Sequence, residues 1–132
     1  MTLTELADRV EGLTGLCRET DGDIANALSL YPKGWRRGAP AASATAIWFD
    51  DHNTGRHWSA PAFSASLDAA MTLVPEGFVW TVSKLGTGKY RASIAHRDDD
   101  DGFPVEKPTI EAAAALTSAS LRARASMEGN RG

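Results

Sequence analysis

Cysteine occurs once in this chain of 132 residues, at Cys17. No intramolecular disulfide framework can form from it, and a reducing compartment suits such a sequence. Apolar runs are also short, and none approaches the roughly 20 residues that a helix needs to cross a bilayer. The opening MTLTELADRVEGL carries acidic residues and lacks both a basic start and an apolar centre. It is expected to be a structural helix rather than a secretory signal. An excess of positive charge is missing too: 14 Lys and Arg stand against 17 Asp and Glu, a formal net charge of −3. That balance counts against broad electrostatic affinity for nucleic acid or anionic membrane. Regular metal spacings of the HxxxH or CxxC kind and a GK[ST] phosphate loop are absent from the sequence. The expectation is a protein without cofactor or metal, working in the cytoplasm.

What is present describes a packed fold. Apolar residues make up 42% of the chain and charged residues 23%, a balance that supports a hydrophobic core. One domain over residues 1–128 with a frayed tail over 129–132 is the simplest division. Thr2 and Glu5 have capping-box spacing, opening a helix that runs to about Leu13. Leu3, Leu6, Ala7, Val10 and Leu13 share its apolar face, and Glu5, Asp8, Arg9 and Glu11 point elsewhere. Ile24, Ala27, Leu28 and Tyr31 predict a second helix, with Asp21 and Asp23 as capping residues, since no glutamate closes a calcium loop around them. Residues 63–77, FSASLDAAMTLVPEG, form the stretch around which the chain is organised. Leu67, Ala70, Met71 and Val74 recur at helical spacing there, Ser64 or Ser66 caps the start, and Pro75 with Gly77 stops it. A last helix, AAAALTSASLRARAS, is expected behind Thr109 as cap, with Ile110, Ala113, Ala114, Thr117 and Leu121 along one stripe.

Strands are expected near residues 45–59 and as a hairpin over 78–96. Phe78, Trp80 and Val82 alternate with Val79, Thr81 and Ser83, and Tyr90, Ala92 and Ile94 alternate with Arg91, Ser93 and Ala95, on either side of a glycine-containing turn. Period-two patterning beside helical patterning implies an α+β fold, with a small, mostly antiparallel sheet. Between the second helix and the first strand, PKGWRRGAPAAS reads as a surface loop. Trp35, Arg36 and Arg37 sit inside it. An indole beside two guanidinium forks suits an anion or a flat ring. With Trp48, His57 and Trp58, these residues are the expected ligand contacts, whereas Trp80 belongs to the core. Asp50, Asp51, His52 and His57 are the densest set of metal-type ligands, and the 98–101 aspartate run is the largest block of like charge. Both read as solvated loops.

Three segments, RVEGLTGLCRETDGDIANAL, FSASLDAAMTLVPEGFVWTVS and KPTIEAAAALTSASLRARAS, resemble in this order the phage ABA sandwich domain family. The resemblance implies a small phage or prophage protein built as an α/β/α sandwich, with helices packed on both faces of the sheet. It carries no catalytic residues with it.

Four classes of function compete. A non-enzymatic phage protein would sequester a host nucleotide signal or a host defence protein, and pockets shared between identical subunits would make it a homo-oligomer. A nucleic-acid-binding accessory protein would use Lys84, Lys89, Arg91, Arg122 and Arg124, against the acidic balance of the chain. A virion or regulatory protein acting by protein contacts is the further alternative. An enzyme would have only His52, His57, His96, Asp50 and Asp51 as raw material, and no spacing ties them together. The first class is the one expected.

Overall fold

A computed structural model describes residues 2–38, 45–50, 56–96 and 108–129, the side chains of 128 and 129 excepted. Four helices and two antiparallel sheets make up the described chain, so the class is α+β. In order these are α1 (Leu3–Glu11), α2 (Arg18–Ala27), β1 (Arg36–Arg37), β2 (Ile47–Phe49), β3 (His57–Ser59), α3 (Leu67–Met71), β4 (Phe78–Lys84), β5 (Tyr90–His96) and α4 (Ala112–Gly129). The strands expected in one sheet divide into two, β1-β2-β3 and β4-β5.

The organising element is α4 rather than residues 63–77. Every side chain from Ala113 to Leu121 is buried. One side of this helix, with Ala114 and Leu121, joins a core with Leu6, Val10, Ile24, Trp48 and Phe63. The other side, with Ala113, Leu116 and Ala119, joins a second core with Ala70, Ile94 and the inner face of the hairpin. A helix covered all round needs no apolar stripe, and its alanines and serines let neighbours approach from two directions. Thr109 does not cap it. Thr109 bridges to Tyr90 at the edge of β5 through two backbone hydrogen bonds of 2.8 and 2.9 Å, and Ile110 is exposed.

Helix α3 is short. Its cap is Ser66, whose hydroxyl accepts from the Ala69 N–H at 3.2 Å. Ala70 and, beyond the helix, Leu73 carry the burial, while Leu67 and Met71 face solvent. The four-residue spacing drawn from Leu67 fails because the segment completes little more than one turn before Pro75.

Helix α1 has the expected reciprocal cap between Thr2 and Glu5, but Glu11 turns inward. Its carboxylate accepts from the Ser118 hydroxyl and from Arg122 Nε and Nη2 at 2.9 and 3.0 Å. Arg122 Nη2 also reaches Asp8 at 2.6 Å. Burial alone lowers the guanidinium pKa, and the hydrogen bonds to Asp8 and Glu11 more than restore it, leaving it above the ordinary value. An ion pair thus locks α1 to α4.

Helix α2 begins at Arg18, three residues before Asp21, so Asp21 caps nothing in its own helix. The fully buried Asp21 instead accepts from the Ser64 N–H at 2.8 Å and from Arg18 Nη1 at 3.0 Å. Ser64 Oγ accepts in turn from the N–H of half-buried Cys17 at 2.9 Å. Desolvation raises the Asp21 pKa above 3.8, against the lowering hydrogen bonds from Ser64 and the charge of Arg18. A carboxyl raised on folding binds its proton more tightly in the native state, so its linkage lowers stability as pH rises from about the unfolded value through the raised one. Urea melts between pH 3 and 7 are expected to show wild type losing stability relative to Asp21→Asn over that interval. A difference independent of pH would contradict the assignment.

Candidate functional site

The three-stranded sheet brings the predicted contact residues together, and its register sorts them by face. Arg36 pairs with Phe49 and Phe49 with His57, while Arg37 pairs with Trp48 and Trp48 with Trp58. Directly opposed residues in an antiparallel ladder project to the same face. One row, Arg37, Trp48 and Trp58, is half-buried, buried and half-buried; the other, Arg36, Phe49 and His57, is exposed throughout.

The inner row is structural. Trp48 is 1% exposed. Tyr31 stacks on it with centroids 4.9 Å apart and planes 10° off parallel, and Trp58 meets it edge-on at 5.6 Å. The Arg37 guanidinium lies 5.4 Å from the Trp48 ring centre. Arg37 Nε donates to the Thr45 carbonyl at 2.5 Å, and Nη2 to Asp23 Oδ1 at 2.9 Å and to the Glu19 carbonyl at 3.4 Å. The other Asp23 oxygen accepts from Arg9 Nη1 at 2.5 Å. Asp23, expected as a cap, is therefore an acceptor shared by two arginines. Trp48 offers no face to a ligand, and Arg37 is occupied in holding β1 to α2. Trp35 packs partly buried against the same core.

Local geometry explains why these few residues form a sheet edge at all. Ser29 adopts φ 54°, so that Leu30 N–H reaches the Ala25 carbonyl at 3.0 Å and the chain leaves α2 toward Tyr31. Trp35 N–H then closes a turn on the Pro32 carbonyl at 3.1 Å, with Gly34 at φ 85° in the position that needs a glycine. Gly22 is as constrained. A Cβ there would lie 2.3 Å from the Thr45 carbonyl oxygen and 2.6 Å from Arg37 Nη2. A glycine inside a helical pattern is a signal of close backbone approach, and it marks the contact that sequence reasoning missed.

Beside this contact a recess of about 250 Å³ is lined by Glu19, Asp23, Arg37, Gly38 and Thr45. Its lining sets two carboxylates against one guanidinium, with Asp23 already shared by two arginines.

The outer row is the ligand-like grouping. Phe49 keeps 44% of its surface exposed, with Arg36 on one neighbouring strand and His57 on the other. A flat apolar ring between two nitrogen-rich side chains can stack a planar group and attract an anion attached to it. The aromatic platform is thus one residue later than the sequence suggested, because strand alternation turns Trp48 inward and Phe49 outward.

The remaining candidates are dispersed. Asp50 is buried and accepts from Arg56 Nη2 at 3.3 Å; Asp51 and His52 lie outside the described residues, as does the run 98–101. Among the described residues no group of three His, Cys, Asp or Glu is placed to hold a metal ion. His96 packs edge-on against Phe78 at 5.3 Å, in the other sheet from His57. Of the cations expected on one nucleic-acid-facing surface, Lys84, Lys89 and Arg91 are exposed on the hairpin. Arg122 is bound to Asp8 and Glu11, and Arg124 Nε donates to the Leu73 carbonyl at 2.8 Å. No helix among the described residues is long and apolar enough to cross a membrane. Comparison with protein-family models, with curated proteins and with solved structures finds no match to this chain.

Proposed function

We propose that the protein is a non-enzymatic binder of an anionic ligand with a flat ring, of the nucleotide class, and that it acts by holding this ligand rather than converting it. The observation that carries this reading is the exposed cross-strand row Arg36, Phe49 and His57. Phe49 presents a stacking face 44% exposed between these two groups, and the flanking nitrogens favour a negatively charged ligand. The resemblance of three segments to phage ABA sandwich proteins supplies the setting. In it, the ligand is a host nucleotide signal used in antiviral defence, sequestered in the host cytoplasm by a homo-oligomer, with a host defence protein as the alternative occupant.

Titration calorimetry with cyclic and ADP-ribose-type nucleotides tests the reading. Stacking on an aromatic side chain contributes about 1–3 kcal/mol per base. Phe49→Ala is therefore expected to weaken binding about 5- to 150-fold, and Arg36→Ala to weaken it while flattening its salt dependence. Absence of saturable binding to every such nucleotide, or affinity unchanged by Phe49→Ala, would overturn the proposal.

A further inference from the structure

Strand β4 has a side on which no other strand pairs with it among the described residues. Tyr90 spends its N–H and C=O on Thr109, away from β4, whereas the Leu85 N–H reaches the Lys89 carbonyl across the hairpin at 2.8 Å. Alternation along an antiparallel ladder then fixes the remainder. Val79, Thr81 and Ser83 bond to β5, and the backbone groups of Trp80, Val82 and Lys84 point outward. On the opposite side of the sheet β5 is bridged by Thr109; on this side β4 is the last strand.

Several of the usual protections of a sheet edge are missing from it among the described residues. The register runs unbroken from Phe78↔His96 to Lys84↔Tyr90, so no bulge twists the strand away. Residues 79–83 include neither proline nor a charge, and Val79 is 54% exposed. Such an edge is a template for another strand.

We propose that β4 pairs antiparallel with β4 of a second copy of this chain about a two-fold axis through Thr81, joining two hairpins into one four-stranded sheet. In that register Trp80 faces Val82 of the second copy, and each pair exchanges both N–H and C=O, so the outward groups are self-complementary. On the outer face Thr81 meets Thr81, and Val79 meets Ser83. Charge agrees with this pairing rather than with a parallel one: the antiparallel register sets each Lys84 opposite Phe78 at opposite ends of the seam, whereas an in-register parallel pairing would bring the two lysines together. A two-stranded sheet is marginal alone, and four strands are a common size. The pairing supplies an interface for the homo-oligomer of the proposed function, but it rests on the strand itself and not on the ligand.

Sedimentation velocity over a concentration series, with amide hydrogen exchange at Val82, tests it. Wild type is expected to reach twice the monomer's 14.1 kDa, with Val82 exchange slowing as the dimer fills. Val82→Pro removes an N–H that the hairpin itself does not use, and Thr81→Lys sets two like charges against each other on the axis. Each is expected to stay folded and become monomeric. Thr81 is exposed, so its variant keeps the test valid if the proline disturbs the hairpin. A wild type monomeric throughout, or a dimer that persists in Thr81→Lys, would overturn the proposal. Nucleotide titration of the monomeric variant reads the Phe49 row separately, so failure of either idea is distinguishable from failure of the other.

Discussion

Trp48→Ala is expected to cost about 3–5 kcal/mol, the range for truncating a large buried aromatic. That is a large share of the roughly 5–15 kcal/mol by which a domain of this kind is held folded, and it corresponds to a fall in melting temperature of about 11–18 °C. The reason lies in what surrounds the ring. Tyr31 loses its stacking partner, Trp58 its edge contact and the Arg37 guanidinium the ring it lies over. The comparison that gives the experiment its meaning is the neighbouring residue. Phe49→Ala is expected to cost about 1 kcal/mol or less, as surface substitutions do, while removing the stacking platform. Thermal melts of the two variants side by side would therefore separate the structural row from the ligand row. A Trp48→Ala protein as stable as wild type would show that the ring is not in the core, and would return it to the ligand side.

Arg122→Ala should be comparably damaging, for a different reason. The Glu11 side chain is 3% exposed and Arg122 is 17% exposed. Removing the guanidinium leaves a buried carboxylate with the Ser118 hydroxyl as its remaining partner, and breaking a buried pair from one side costs about 3–5 kcal/mol. The pair itself need not be strongly stabilising, because both ions gave up hydration to form it. Glu11→Leu combined with Arg122→Met is accordingly expected to recover most of the loss, since apolar replacement of a buried pair is often neutral. Denaturant unfolding of the two single variants and the double variant measures this. Additive losses in the double variant would contradict the picture of a coupled pair between α1 and α4.

Much of the fold was legible because local chemistry and tertiary environment agree. The Thr2 and Glu5 cap and the hairpin over residues 78–96 depend on patterns that neighbouring residues complete among themselves. Misreadings arose where burial came from every side. In α4 the apolar stripe is replaced by small residues because two cores meet on it, so the spacing from Thr109 and Ile110 does not mark the start of a helix that begins at Ala112. Charge alone places Glu11 in solvent, and only the distant Ser118 and Arg122 draw it inward. Asp21 and Asp23 have the composition of caps, yet their partners, Ser64, Arg9 and Arg37, lie far away in sequence.

The candidate site was half legible for a similar reason. Composition located the cluster of aromatics and arginines around residues 35–58. It could not choose between Trp48 and Phe49, because a three-residue strand alternates in whichever register its neighbours impose. The pairing of Arg36 with Phe49 and of Phe49 with His57 made that choice.

The most direct test of the central claim is an amide-resolved NMR titration of the protein with a cyclic nucleotide and an ADP-ribose-type nucleotide. Saturable shifts concentrated at Arg36, Phe49 and His57, and abolished in Phe49→Ala, are the result that a nucleotide held on the outer row predicts. Shifts centred instead on Lys84, Lys89 and Arg91, or no saturable shift with either ligand, would contradict it.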